Sequence, residues 1–230
     1  MKCFSKYAAA ALLVLTSAGL AMPANAIPTL RLTQGTNVVI VEDNDANDVN
    51  NLDGAVAYAG PVGDYSLTSS IGLTKPILGT PSQPSIDLLS IQLSSSSASS
   101  IIEVAFTDTG FSNAGPTITL PSLIGGTTNG SIRYQTFASL TNTAFATDIL
   151  ISDSGVLGSG AFAFTDYATI ALQGLYSLTT VVTVTHGANL VNSSFNATVV
   201  ISEPAQISMT TLSGVLFIAG FGAHRRQRRR

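Results

Sequence analysis

The sequence predicts an all-β protein, an antiparallel β-sandwich whose topology, jelly-roll or immunoglobulin-like, the pattern leaves open. Three observations carry that expectation. Ser, Thr, Gly, Val and Ile are abundant, while charged residues make up only 10% of the 230-residue chain; this suits strands better than solvated helices. Apolar and polar residues alternate at period two over many short runs, and no stretch between the ends shows the period of an amphipathic helix. Clusters of turn-forming residues separate the runs, as they do in two packed antiparallel sheets.

The elements follow in order. Residues Asn37 to Val41, Gly54 to Ala59 and Tyr65 to Ser69 read as short strands. In "IDLLSIQL" (86–93) the apolar face shifts between Leu88 and Ile91, which marks a bulge. In "IIEVAFTD" Ile102, Val104 and Phe106 share one face, with Glu103 and Thr107 on the other. "SIRYQTF" sets Ile132 and Tyr134 against Arg133 and Gln135, so Tyr134 is expected in the core. Strands are also expected at Phe145 to Ile151 and Gly160 to Phe164. "YSLTTVVTVTH" groups Leu178, Val182 and Val184 opposite Thr179, Thr183 and Thr185, and "FNATVVI" groups Phe195, Ala197, Val199 and Ile201. Turns are expected at "DG" (53), "PVGD" (61), "TPSQP" (80), "TDTG" (107), "GGTTNG" (125) and "HGAN" (186). "SSSSASS" (94–100) reads as a loop between strands, so residues 27–201 make one domain.

The ends differ from the body. Lys2 and Lys6 precede the apolar run "YAAAALLVLTSAGLAM", and the small residues Ala24 and Ala26 follow, the layout of a secretory signal over residues 1–26 with cleavage after Ala26. The single cysteine, Cys3, leaves with that segment, so the mature chain has no disulfide and no thiolate ligand. The body then holds three cations, Arg31, Lys75 and Arg133, against twelve carboxylates, a formal charge of −9. Such an acidic surface excludes nucleic acid as a partner. Residues 202–230 carry Glu203 and Pro204, an uncharged apolar stretch from Ile207 to Ala223, and the cluster Arg225, Arg226, Arg228, Arg229 and Arg230. In a helix the apolar stretch just approaches a bilayer core, and the arginines hold its end on the cytoplasmic side.

Glu203-Pro204, the short apolar helix and the terminal arginine run together resemble the PEP-CTERM sorting signal of Gram-negative bacteria that produce exopolysaccharide. Ser202 stands where the family motif has its first proline. The resemblance implies recognition by an exosortase-like membrane processing enzyme, with the C-terminal helix in the inner membrane before processing. The body is also similar to the uncharacterised bodies of other exported PEP-CTERM proteins through "GLTKP" (72–76), "DTGF" (108–111) and "YSLTTVVTVTH" (176–186); this implies no activity.

The search for chemistry gives one binding candidate. Glu42, Asp43, Asp45, Asn47, Asp48 and Asp53 crowd one loop, and clustered oxygen ligands suit calcium. The EF-hand pattern fails, because Asp48 stands where its glycine belongs and Gly54 where its closing glutamate belongs. A looser calcium site on Asp43, Asp45, Asn47, Asp48 and Asp53 stays open beside a plain solvated loop. Asp108 and Asp153 each head an Asp-Thr/Ser-Gly triplet, but they lie too close in sequence for the two lobes of an aspartic protease. His186 is the body's only histidine, expected half-exposed at a strand end, and no Gly-x-Ser-x-Gly elbow is present. A sugar platform would need exposed rings; the chain has no tryptophan, and its candidates are Tyr58, Tyr65, Tyr134, Tyr167 and Tyr176. The expectation is a noncatalytic protein of the cell surface or extracellular matrix, without cofactor and associated with extracellular polysaccharide. A calcium-dependent carbohydrate-binding module is the alternative, and a secreted hydrolase the third reading.

Overall fold

In the computed structural model of the chain, residues 27–97, 100–113, 115–187 and 191–201 are described. The described residues contain strands and no helix. An opening hairpin, β1 (Thr29–Gln34) and β2 (Asn37–Glu42), leads to β3 (Ala55–Ala57), β4 (Gly60–Val62), β5 (Tyr65–Leu73) and β6 (Ser85–Ser95). Then come β7 (Ser100–Ser112), β8 (Ile118–Thr128), β9 (Ser131–Ser139), β10 (Ile149–Leu157), β11 (Gly160–Ile170), β12 (Leu175–His186) and β13 (Val191–Val200). The first sheet runs β10-β9-β12-β7-β1-β2, the second β11-β8-β13-β6-β5-β3, with β4 beside β5. Every pairing is antiparallel.

The connectivity decides between the two expected topologies. From β6 onward the chain runs in consecutive pairs, β6–β7, β8–β9, β10–β11 and β12–β13, each with one strand in either sheet. Across the sandwich these pairs lie in the order β6–β7, β12–β13, β8–β9, β10–β11. The last pair is inserted between the first two, which is the jelly-roll arrangement rather than an immunoglobulin one. The hairpin β1–β2 widens the first sheet, and β3 to β5 widen the second.

The core lies between the sheets. Leu30, Leu32, Val104, Phe106, Tyr134, Leu178 and Val182 face inward from the first sheet; Leu67, Ile86, Leu88, Ile91, Phe195 and Val199 meet them from the second, all at most 2% exposed. Each such aliphatic contributes about 1.5–3 kcal/mol by leaving water. Alternation read from the sequence therefore assigns the inward faces of β6, β7, β9, β12 and β13 correctly. The bulge in β6 is also present. Leu89 and Ser90 lie opposite Asn196 between the Ile91–Phe195 and Leu88–Ala197 pairs, Ser90 has φ 51°, and Asn196 Oδ1 accepts its N–H at 2.6 Å.

Several expectations are corrected. β1, β4 and β8 are strands that the pattern did not reveal. In β8 the breakers Pro121 and Gly125-Gly126 lie inside the strand. Pro121 is tolerated one residue beyond the end of the β13 pairing, which stops at Ser122–Val199. Gly126 is required because a Cβ there would lie 2.1 Å from the Ser194 carbonyl oxygen. "TDTG" is no turn but part of β7, where Thr109 and Gly110 (φ 72°) bulge opposite Ser177. Thr107, expected on the polar face, is fully buried because the loop before β10 covers it: its hydroxyl accepts the Phe145 N–H at 3.2 Å. That loop delays β10 to Ile149.

Candidate functional site: a neutral polar groove on the second sheet

Strand alternation that sends Leu67, Leu93 and Phe195 into the core sends their neighbours to the outer face of the second sheet. There the pairing sets Thr127 of β8 opposite Ser194 of β13, and Ser194 opposite Gln92 of β6. Thr68 of β5 lies beside Gln92 in a local bulge. One step along, Asn192 faces Ser94. These side chains line a groove of about 350 Å³ with no charged group and no aromatic ring in its wall. Its chemistry is a band of hydroxyls and amides, each able both to donate and to accept hydrogen bonds.

A buried polar chain underlies one end of the groove. Thr128 and Ser193, which form part of the wall, share a hydroxyl–hydroxyl bond of 2.7 Å. Ser193 Oγ lies 2.9 Å from His186 Nε2, and His186 Nδ1 lies 2.9 Å from Ser95 Oγ. His186 is fully buried, against the expectation of a half-exposed strand end. Its ring packs at 5.3 Å against that of Tyr65, and burial holds its pKa below the usual value. Both ring nitrogens meet serines, so this histidine has no carboxylate to orient it as the base of a triad.

The two Asp-Thr/Ser-Gly aspartates are not brought together. Asp108 is buried in β7, and Asp153 lies on β10, three strands away in the same sheet. At roughly 4.8 Å per strand they are too far apart to share a proton. Asp153 instead pairs with Arg133 and accepts from Gln135 Nε2 at 3.2 Å. The Arg133 guanidinium holds its carboxyl below the usual range.

The acidic loop is built to hold its own backbone. Asp45 Oδ1 accepts the N–H groups of Asn47 and Asp48, and its Oδ2 that of Glu42 at 3.0 Å. Asp48, 8% exposed, accepts from Asn44, Asn50 and Ala57. Asp43 Oδ2 takes the Gly54 N–H at 2.8 Å, and Asp53 takes the Asn44 side-chain amide at 2.9 Å. Burial raises the Asp43 carboxyl, opposed by the Gly54 N–H and helped by the charges of Asp48, Asp53 and Asp108. Among the described residues no three carboxylate, histidine or cysteine side chains are grouped to hold a metal ion. In this arrangement Asp43, Asp45, Asp48 and Asp53 each turn a carboxylate oxygen to an N–H group, and Asn47 gives its backbone N–H to Asp45.

Of the ring candidates, Tyr65, Tyr134 and Tyr176 are core residues. Tyr58 is half-buried, with its hydroxyl donating to the Pro61 carbonyl at 2.9 Å. Tyr167, 66% exposed, stands on the outer strand β11 away from the groove wall. The groove itself escaped the sequence reading because its residues are ordinary strand-surface Ser, Thr, Asn and Gln. Ala24, Ala26, Glu203, Pro204 and the arginine cluster lie outside the described residues. No described helix is long and apolar enough to cross a membrane.

No protein-family model and no curated protein matches the chain. Among solved structures it is similar to the carbohydrate-binding module TmCBM27, characterised for specific mannan recognition, at 12% identity and TM-score 0.30, over 64% of this chain and 95% of that one. It is also similar to tailspike protein 4 of bacteriophage CBA120 (15% identity, TM-score 0.30, 61% and 20% covered). A third similarity is to an isomalto-dextranase of Arthrobacter globiformis T6 (12%, TM-score 0.23, 63% and 23% covered). The chain spans about a fifth of the length of the latter two. At these scores the likenesses carry no argument about function.

Proposed function

We propose that the protein is an exported, noncatalytic component of the cell surface or extracellular matrix whose jelly roll binds neutral polysaccharide along the groove of the second sheet. The observation that supports this reading is the Thr127–Ser194–Gln92 row: a band of donors and acceptors without charge, matched to the hydroxyls of a neutral glycan. A charged polymer would find no counter-ion in it, and an aromatic stacking platform is absent from its wall. Export and sorting rest on the signal-like residues 1–26 and the PEP-CTERM-like residues 202–230.

Binding of the purified protein to immobilised neutral and acidic polysaccharides tests the reading. Neutral glycan should be retained, with little dependence on salt. A Gln92→Ala/Ser194→Ala double variant removes two side-chain hydrogen-bonding groups at about 0.5–1.5 kcal/mol each, so affinity should fall roughly tenfold or more. Its melting temperature should stay unchanged because both residues point outward. Equal retention of variant and parent, or retention of acidic polymers alone, sinks the proposal. Peptide mapping of protein from its native cells should find a start at Ile27 and an end close to Glu203.

A further inference from the structure

Two of the sequence stretches singled out above meet in space. Lys75 of "GLTKP" follows β5 in the second sheet; Asp108 of "DTGF" belongs to β7 in the first. Lys75 Nζ lies 2.5 Å from Asp108 Oδ2, inside the roughly 2.7–2.9 Å of an ordinary charge-assisted contact. It also donates to the Thr109 carbonyl at 2.6 Å and sits 4.2 Å above the Phe111 ring. The Asp108 side chain is fully buried, that of Lys75 13% exposed.

We infer that Lys75 and Asp108 condense in the folded protein into a side-chain amide that joins the two sheets covalently. The ammonium passes one proton to the carboxylate across their 2.5 Å contact. The lone pair freed on Nζ attacks Cγ of the neutral acid, and the Cγ–N bond forms. The Cγ–O bond then breaks, and the hydroxyl leaves with a second proton from Nζ as water. One ammonium and one carboxylate become one amide and one water, with no oxidant, reductant or activating group.

Three features of the site favour the step. The reacting groups are held by two packed sheets, so little entropy is left to lose. Thr74 Oγ1 has a single hydrogen for two neighbours, the Ser85 carbonyl at 3.0 Å and Asp108 Oδ2 at 2.8 Å. When it serves the carbonyl, its oxygen is free to accept the hydroxyl hydrogen of the neutral acid. Finally, Lys75 lines a cavity of about 370 Å³ together with Asp43, Asp53 and Gly54. Asp43 Oδ1, which has no hydrogen-bond partner, can accept the departing water there.

The test is the mass of one peptide. Lys75 precedes proline, so trypsin leaves residues 32–133 as a single fragment between Arg31 and Arg133, whatever happens at the chain ends. From denatured, fully digested wild-type protein this fragment should weigh one water less than its sequence requires. A second cut with chymotrypsin should leave the pieces carrying Lys75 and Asp108 joined. Lys75→Arg keeps the ion pair and the resistance to trypsin but cannot condense, so its fragment should have the full sequence mass. A wild-type fragment at full sequence mass from folded, aged protein overturns the inference. So does a water loss that persists in Lys75→Arg, since dehydration at Asp53-Gly54 would then explain it.

Discussion

Acid should weaken this protein through His186, and the effect can be sized. The ring is fully buried between Ser95, Ser193 and Tyr65, and its pKa lies below the ordinary value because burial disfavours the imidazolium. Between that lowered value and the unfolded value of about 6.5, the unfolded chain binds more protons than the folded one. Stability is therefore intact above about pH 6.5 and declines below it, at up to about 1.4 kcal/mol per pH unit. With a urea slope of about 1–3 kcal/mol per molar, the unfolding midpoint should drop by up to roughly 0.5–1.4 M per pH unit across that window. Asp87 titrates nearby in the opposite sense, so the comparison is with His186→Gln, which keeps one donor and one acceptor but has no charge to gain. Urea titrations followed by circular dichroism from about pH 7.5 to about pH 5 would show the wild-type midpoint falling relative to the variant. Parallel traces for the two proteins would refute the reasoning.

Three further outcomes are expected. Burial alone raises the Asp87 carboxyl to about 6, and its Oδ1 has no hydrogen-bond partner. The protonated form stabilises the fold at low pH and that contribution is lost as pH rises through about 6, so Asp87→Asn should be more stable than wild type at neutral pH by about 1 kcal/mol after discounting for partial exposure. Its advantage should vanish below about pH 4, as urea midpoints will show. Phe106→Ala should cost about 3–5 kcal/mol in a thermal melt, because the ring packs directly on Gly72, where a Cβ would come within 2.5 Å, and Gly72 has no side chain to fill the void. Chelation of divalent cations should leave the melting temperature unchanged, since the loop carboxylates of Asp45 and Asp48 already serve backbone N–H groups; a large loss would restore the calcium reading.

How much was legible depended on what each residue type signals by itself. Period-two alternation is a local property, so Ile132–Tyr134 and Phe195–Val199 declared their inward faces without help. β8 did not, because Pro121 and Gly126 break strands in most settings. Their acceptance depends on where β13 ends and how closely its backbone approaches, facts that belong to a partner sixty or more residues away. Asp108 and His186 misled for a related reason: a polar residue near a turn signal reads as exposed, and only the tertiary partners Lys75, Ser95 and Ser193 make its burial tolerable. The acidic loop was ambiguous in a different way. Its carboxylates look like ligands in sequence, and only the fold reveals that Asp45 and Asp48 are engaged by the backbone N–H groups of their own turns. The groove was invisible because its meaning arises from the adjacency of four strands, none unusual alone.

The place of β12 and β13 has a consequence in time. They are the last two described strands in chain order, yet each lies in the middle of its sheet, β12 between β7 and β9 and β13 between β6 and β8. A chain emerging from the ribosome therefore makes two half-sandwiches with an empty slot between them, and four strands wait with one edge unpaired until residues 175–200 arrive. Every contact that closes the slots spans a long stretch of sequence, for instance Thr107 to Thr179, which makes closure slow. A nascent chain cannot complete this fold early, so its strand edges must be kept apart from those of its neighbours until β12 and β13 are inserted, one into each sheet.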